Sequence, residues 1–140
     1  MNKYVKEKRY NKKIVLFLVL NYSIQVVYGL DPVQAKKYAV LSFLKNRILQ
    51  TLLFQASENG DALTIIDTVK RNVSLNIKNQ QGQTPLIIAV INGHQAAVEA
   101  LIFAGASLSI KDETGKTALD YALYENNKAV TALLLQNAKS

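Results

Sequence analysis

The chain is 140 residues long, contains no cysteine and carries a formal net charge of +7. That length suits one hydrophobic core, and the lack of cysteine excludes both a disulfide framework and a thiolate metal site. The charge is concentrated in residues 1–13, where Lys3, Lys6, Lys8, Arg9, Lys12 and Lys13 face only Glu7; a nucleic-acid-binding domain would instead gather its excess on a folded face, so no nucleic acid is expected as a partner.

Behind the basic stretch, Ile14-Val15-Leu16-Phe17-Leu18-Val19-Leu20 is an unbroken apolar run, which Asn21, Tyr22, Ser23 and Gln25 then dilute. A basic start, a short apolar middle and small residues near the end are the layout of a secretory signal peptide. Val27 and Gly29 fill the small-residue positions and place the cut before Leu30, which gives a signal segment over 1–29 and a periplasmic or secreted mature protein. Two other readings stand beside it. An uncleaved membrane anchor needs about 20 apolar residues, and the uninterrupted run has seven. A core helix over 14–28 would need a polar face, which the run lacks.

Asp31-Pro32 reads as a helix start, with a side-chain oxygen to cap free N–H groups and a proline where no N–H is needed. Tyr38, Leu41, Leu44, Ile48 and Leu52 come next at spacings of three and four, an apolar stripe on one helix. The pattern fits one bent helix to Ser57 and equally two helices that break near 47–50. Residues 30–47 are taken as a cap on the remainder of the chain.

From residue 48 onward the sequence repeats. Gly82, Thr84, Leu86 and Ala89 return thirty-three residues later as Gly115, Thr117, Leu119 and Ala122, and Ser74, Leu75, Ile77 and Lys78 return as Ser107, Leu108, Ile110 and Lys111. One period earlier, Ala56, Asn59 and Gly60 stand for Ala89, Asn92 and Gly93. A fixed period of this length marks stacked units, none of which buries its apolar face alone. Within a unit, Thr84-Pro85 opens a short helix and Asn92-Gly93 ends it with residues that accept a left-handed backbone. A second helix runs over about 95–104 and stops at Gly105; 106–114 has no helical period and reads as an extended hairpin arm. Asn126 and Asn72 replace glycine at equivalent turns, and asparagine is the next-best residue for positive φ. Helix–turn–helix units are therefore predicted near 51–71, 84–104 and 117–136, an all-α solenoid.

Gly82-Gln83-Thr84-Pro85-Leu86-Ile87-Ile88-Ala89, followed by Asn92-Gly93-His94 and Ala104-Gly105-Ala106, resembles the ankyrin repeat. Gly115-Lys116-Thr117-Ala118-Leu119-Asp120-Tyr121-Ala122 looks like a further unit of the form seen at the end of an array. Leu53-Phe54-Gln55-Ala56 with Glu58-Asn59-Gly60-Asp61 looks like a degenerate first one. The resemblance covers 48–140, as repeats over about 48–79, 80–112 and 113–140. The histidine usual after Thr-Pro-Leu is Ile87 here and Asp120 in the next unit, which implies a weakened side-chain link between neighbouring repeats.

Chemistry is sparse along the chain. His94 is the single histidine, without a second ligand to make a metal site, and the family places a histidine there for structural reasons. Asp112 and Glu113 are expected at a solvated hairpin tip, with nothing apolar to raise a pKa. Ser107 and Ser109 lack a histidine base in their unit, and no glycine-rich phosphate loop is present. No catalysis, metal or cofactor is expected. The resemblance implies a monomer that binds another protein through hairpin tips and the outward ends of the first helices. Those tips fall on Lys78, Asn79, Gln80, Gln81 and Gln83, then Lys111, Asp112, Glu113, Thr114 and Lys116; the helix row falls on Glu58 and Asn59, Ile91 and Asn92, Tyr124 and Glu125. Ile91 and Tyr124 are apolar or aromatic where exposure is expected, as interface anchors are, although isolated exposed apolar residues are also ordinary. Phe103 is expected to pack under a hairpin arm. The alternative to an exported binding module is a scaffold protein tethered to the membrane by an uncleaved amino-terminal anchor.

Overall fold

The computed structural model describes residues 32–138, and among them are six helices and no strand. The leader expected at 1–29 lies outside the described residues. In chain order the helices are α1 (Pro32–Asn59), α2 (Ala62–Lys70), α3 (Pro85–Ile91), α4 (Gln95–Phe103), α5 (Ala118–Tyr124) and α6 (Lys128–Asn137). The chain divides into two units, Met1–Lys45 and Asn46–Ser140. Helix α1 is one continuous element of 28 residues, because no glycine or proline falls at 47–50 to break it. In the first unit its Ala35, Ala39 and Ser42 are half-buried while its larger apolar side chains are exposed.

In the second unit the short helices pack as the period predicts. Helix α3 pairs with α4 and α5 with α6, while α2, α4 and α6 stack in one row and α3 lies on α5 in the other. Each short helix but α4 starts on a side-chain cap. Thr84 Oγ1 accepts from the Ile87 N–H at 3.3 Å, with Pro85 in the first helical position. Asp61 accepts from the Thr64 N–H at 3.0 Å. Thr117 and Asp120 form a reciprocal capping box at the start of α5. Asn127 accepts from the Val130 N–H at 3.1 Å. The turns close through left-handed residues, and both predicted asparagine replacements hold: Asn72 has φ 59° and Asn126 has φ 52°.

The core is a continuous layer of aliphatic side chains, among them Leu53, Ile65, Leu86, Val98, Leu101, Val130 and Leu134, with Ala56, Ala89, Ala97 and Ala122 where helices approach closely. Ile87 is buried in it, so the position that usually carries a polar link between repeats here carries apolar contact. Asp120 is spent on its own helix cap. Links between units come from elsewhere. His94 Nε2 lies 2.9 Å from the Glu58 carbonyl oxygen, Lys78 Nζ donates to the Lys111 carbonyl at 2.7 Å, the Ser107 N–H donates to Asn76 Oδ1 at 3.0 Å, and the Glu113 N–H donates to the Gln81 carbonyl at 3.1 Å. His94 is thus a structural residue that bridges two repeats.

Two expectations are corrected. Phe103 does not pack under an arm; it is 95% exposed. It is the last residue of α4, two positions past the buried Leu101 and so rotated about 200° from the core-facing side, while the chain turns back through the Ala106 N–H to the Leu101 carbonyl. Its counterparts one period away, Lys70 and Gln136, are exposed as well. Asp112 is not a solvated tip residue; it is buried, because its own hairpin folds around it and Tyr121 closes over its carboxylate.

Candidate partner-binding surface

Both hairpin tips are built the same way, one period apart. Asn79 Oδ1 accepts from the Gln81 N–H at 3.0 Å and the Gln83 N–H at 2.9 Å. Asp112 Oδ1 accepts from the Thr114 N–H at 2.8 Å and the Lys116 N–H at 3.1 Å. In each tip a side chain at the start of the bend takes the N–H groups that no sheet ladder pairs. The first tip is locked further by Asn79 Nδ2 donating to Gln83 Oε1 at 3.0 Å. The two tips touch where Gly82 has no side chain: a Cβ there would lie 2.8 Å from the Glu113 backbone nitrogen, the group that donates to Gln81.

The second tip carries a charge that the first does not, and the helix after it explains why. Tyr121 in α5 donates its hydroxyl to Asp112 Oδ2 at 2.6 Å, whereas the equivalent residue in α3 is the apolar Ile88. With Thr114 Oγ1 donating at 2.7 Å as well, Asp112 is ringed by donors. These hold its carboxyl down to about 2 from 3.8, the Tyr121 hydroxyl contributing most. The arrangement is a rigid, ionised support and not an acid or base. Among the described residues, no group of three or more His, Cys, Asp or Glu side chains gathers where a metal ion would fit.

Around this support the contact residues expected from the sequence sort themselves by position. Gln80, Gln81, Glu113, Thr114 and Lys116 fall on the tips, and Gln83 is half-buried in its lock with Asn79. In the helix row Asn92, Tyr124 and Glu125 are exposed, while Ile91, expected to be exposed, is half-buried against the core. The Lys116 ammonium lies 5.3 Å from the centroid of the Tyr121 ring and 5.4 Å from that of Tyr124, within cation–π range of both. Tip and helix row therefore meet at Lys116 and Tyr124, and Tyr124 stands 78% exposed there. Sequence reasoning missed the part that Asp112 and Tyr121 play in fixing this corner. The only signal is an Asp nine residues before a Tyr, with no regular element to join them.

A protein-family model described as ankyrin repeats, in three copies, matches residues 38–140. No curated protein matches the chain. Ankyrin repeats are generally protein–protein interaction modules and typically non-catalytic. The match spans most of the sequence, and its helix pairs, left-handed turns and hairpin tips recur at the period of the repeat: the chain belongs to the ankyrin repeat family.

Proposed function

We propose that this protein is an exported, non-catalytic binding module that engages a partner protein through its hairpin tips and inner helix row. The observation that carries the binding reading is the corner formed by Lys116, Tyr121 and Tyr124: the large, amphipathic, exposed Tyr124 ring beside the Lys116 cation, which also lies over Tyr121, whose hydroxyl is bonded to Asp112. Rigid aromatic side chains of this kind anchor interfaces because little conformational freedom is lost on binding. Gln80, Gln81, Glu113 and Thr114 supply polar contacts along the tips. Export rests on the amino-terminal pattern of basic residues, apolar run and small residues over 1–29.

The test uses the protein recovered from its native host. Mass measurement is expected to show that 1–29 is gone; an intact Met1 in a soluble cytoplasmic fraction would exclude export, and retention in the carbonate-washed membrane pellet would favour the tethered scaffold. Against a partner isolated by pull-down, Tyr124→Ala is expected to weaken affinity by about 2 kcal/mol or more while the thermal midpoint stays put. Normal binding by Tyr124→Ala, together with loss on charge reversal at Lys111 or Lys116, would move recognition to the tips alone.

A further inference from the structure

The first half of α1 displays its large apolar side chains outward. Val33, Val40, Leu41 and Leu44 fall at helical spacing on one face with Lys37 among them, and Phe43 and Tyr38 flank that face. All six apolar side chains are about half exposed or more, Val33 and Phe43 the most at 73% and 65%. The opposite side holds the small, half-buried Ala35, Ala39 and Ser42. A run of large apolar residues facing water marks a surface made to be covered.

What covers it is indicated by charge. Lys36 and Lys45 border the apolar face on its two sides, Lys37 lies in it, and no carboxylate occurs anywhere from 32 to 57. A second copy is a poor fit: antiparallel pairing would bring Lys36 and Lys37 of one chain against Lys45 of the other, and parallel pairing would stack Lys37 on itself, with no acid between 32 and 57 of either helix to offset them. An anionic bilayer surface suits both features at once. Apolar side chains enter the boundary between headgroups and acyl chains, and lysine stems lie along that boundary with their ammonium groups raised to the phosphates. Tyrosine at the edge of the face suits the same depth. The helix would lie on the surface, since among the described residues no helix is long and apolar enough to cross a membrane.

We infer that the outward face of α1 between Val33 and Lys45 binds an anionic lipid surface, lying in the plane of the headgroups. This is independent of the partner-binding reading. Because the chain has no cysteine, one introduced thiol reports on one place. Val40→Cys, labelled with an environment-sensitive fluorophore, is expected to brighten and shift to the blue on vesicles of phosphatidylcholine containing about one third phosphatidylglycerol, and to revert at high salt. The same label at Gln136→Cys in α6 should not respond. Each basic residue near an anionic leaflet strengthens binding roughly fivefold, so Lys36→Glu, Lys37→Glu and Lys45→Glu together should weaken partitioning by roughly a hundredfold. These lysines are exposed, and an unchanged thermal midpoint would show that the triple variant still folds. A label that stays dark on anionic vesicles overturns the inference. So does an equal response to pure phosphatidylcholine, a response that persists in the triple variant, or a shift that grows with protein concentration in the absence of lipid, which would mean a second copy covers the face.

Discussion

At the scale of single residues, Asp112 decides how the second tip behaves with pH. Its carboxyl is held at about 2, below the 3.8 of an unconstrained aspartate, so the folded state favours the ionised form. That contribution to stability is complete above roughly pH 4 and is lost as the pH falls through about 2, because the unfolded chain takes up its proton first. Asp61 and Asp120 act in the same direction: the Thr64 hydroxyl lowers the first and the Thr117 N–H lowers the second. Tyr121→Phe removes the strongest donor to Asp112. In that variant the Asp112 pKa, followed by NMR titration, is expected to rise from about 2 back toward 3.8, and the thermal midpoint to fall at neutral pH but by much less at pH 2. A midpoint lowered equally at both pH values would mean that the ring packs Tyr121 in place and its hydroxyl does not matter.

At the scale of elements, the turns carry the repeat, and two glycines of like backbone separate strain from crowding. Gly60 has φ +75° and Gly105 has φ +90°, so alanine at either meets a left-handed penalty of roughly 1–2 kcal/mol. A Cβ at Gly105 would have nothing within 4 Å, whereas at Gly60 it would lie 2.7 Å from His94 Cγ and Nδ1. Gly60→Ala must therefore also displace the ring that reaches the Glu58 carbonyl. Denaturant titration should show Gly60→Ala the more costly by about 1–3 kcal/mol; equal losses would mean the His94 bridge gives way freely. These turns were legible in the sequence because their requirement is local: glycine and asparagine are the residues that accept positive φ most readily, wherever they occur. The bridge was not, since its acceptor is a main-chain carbonyl, which leaves no mark on the residue type at Glu58.

At the scale of the whole array, each repeat leans on its neighbours, and the position of a residue along the stack sets the cost of losing it. Leu101 and Leu134 occupy the same place one period apart and are both buried. Leu101→Ala, in the central repeat, is expected to cost about 2–5 kcal/mol and to lower protection from hydrogen exchange throughout 46–138. Leu134→Ala should loosen chiefly α5 and α6. Identical exchange profiles in the two variants would show that the array unfolds only as one body. Helix positions and the core were legible because caps, turns and apolar spacing all repeat. The exposure of Phe103 and the burial of Asp112 were not, because each depends on where the chain goes next: away from Phe103 after Ala106, and back over Asp112 through Tyr121.

Val90 in α3 is buried, while Leu123, its counterpart in α5, is 58% exposed. The same position in the repeat thus meets packed side chains in α3 and water in α5. The three copies also open differently: the middle one has Thr84-Pro85-Leu86, the last has Thr117-Ala118-Leu119, and the first begins without either threonine or proline.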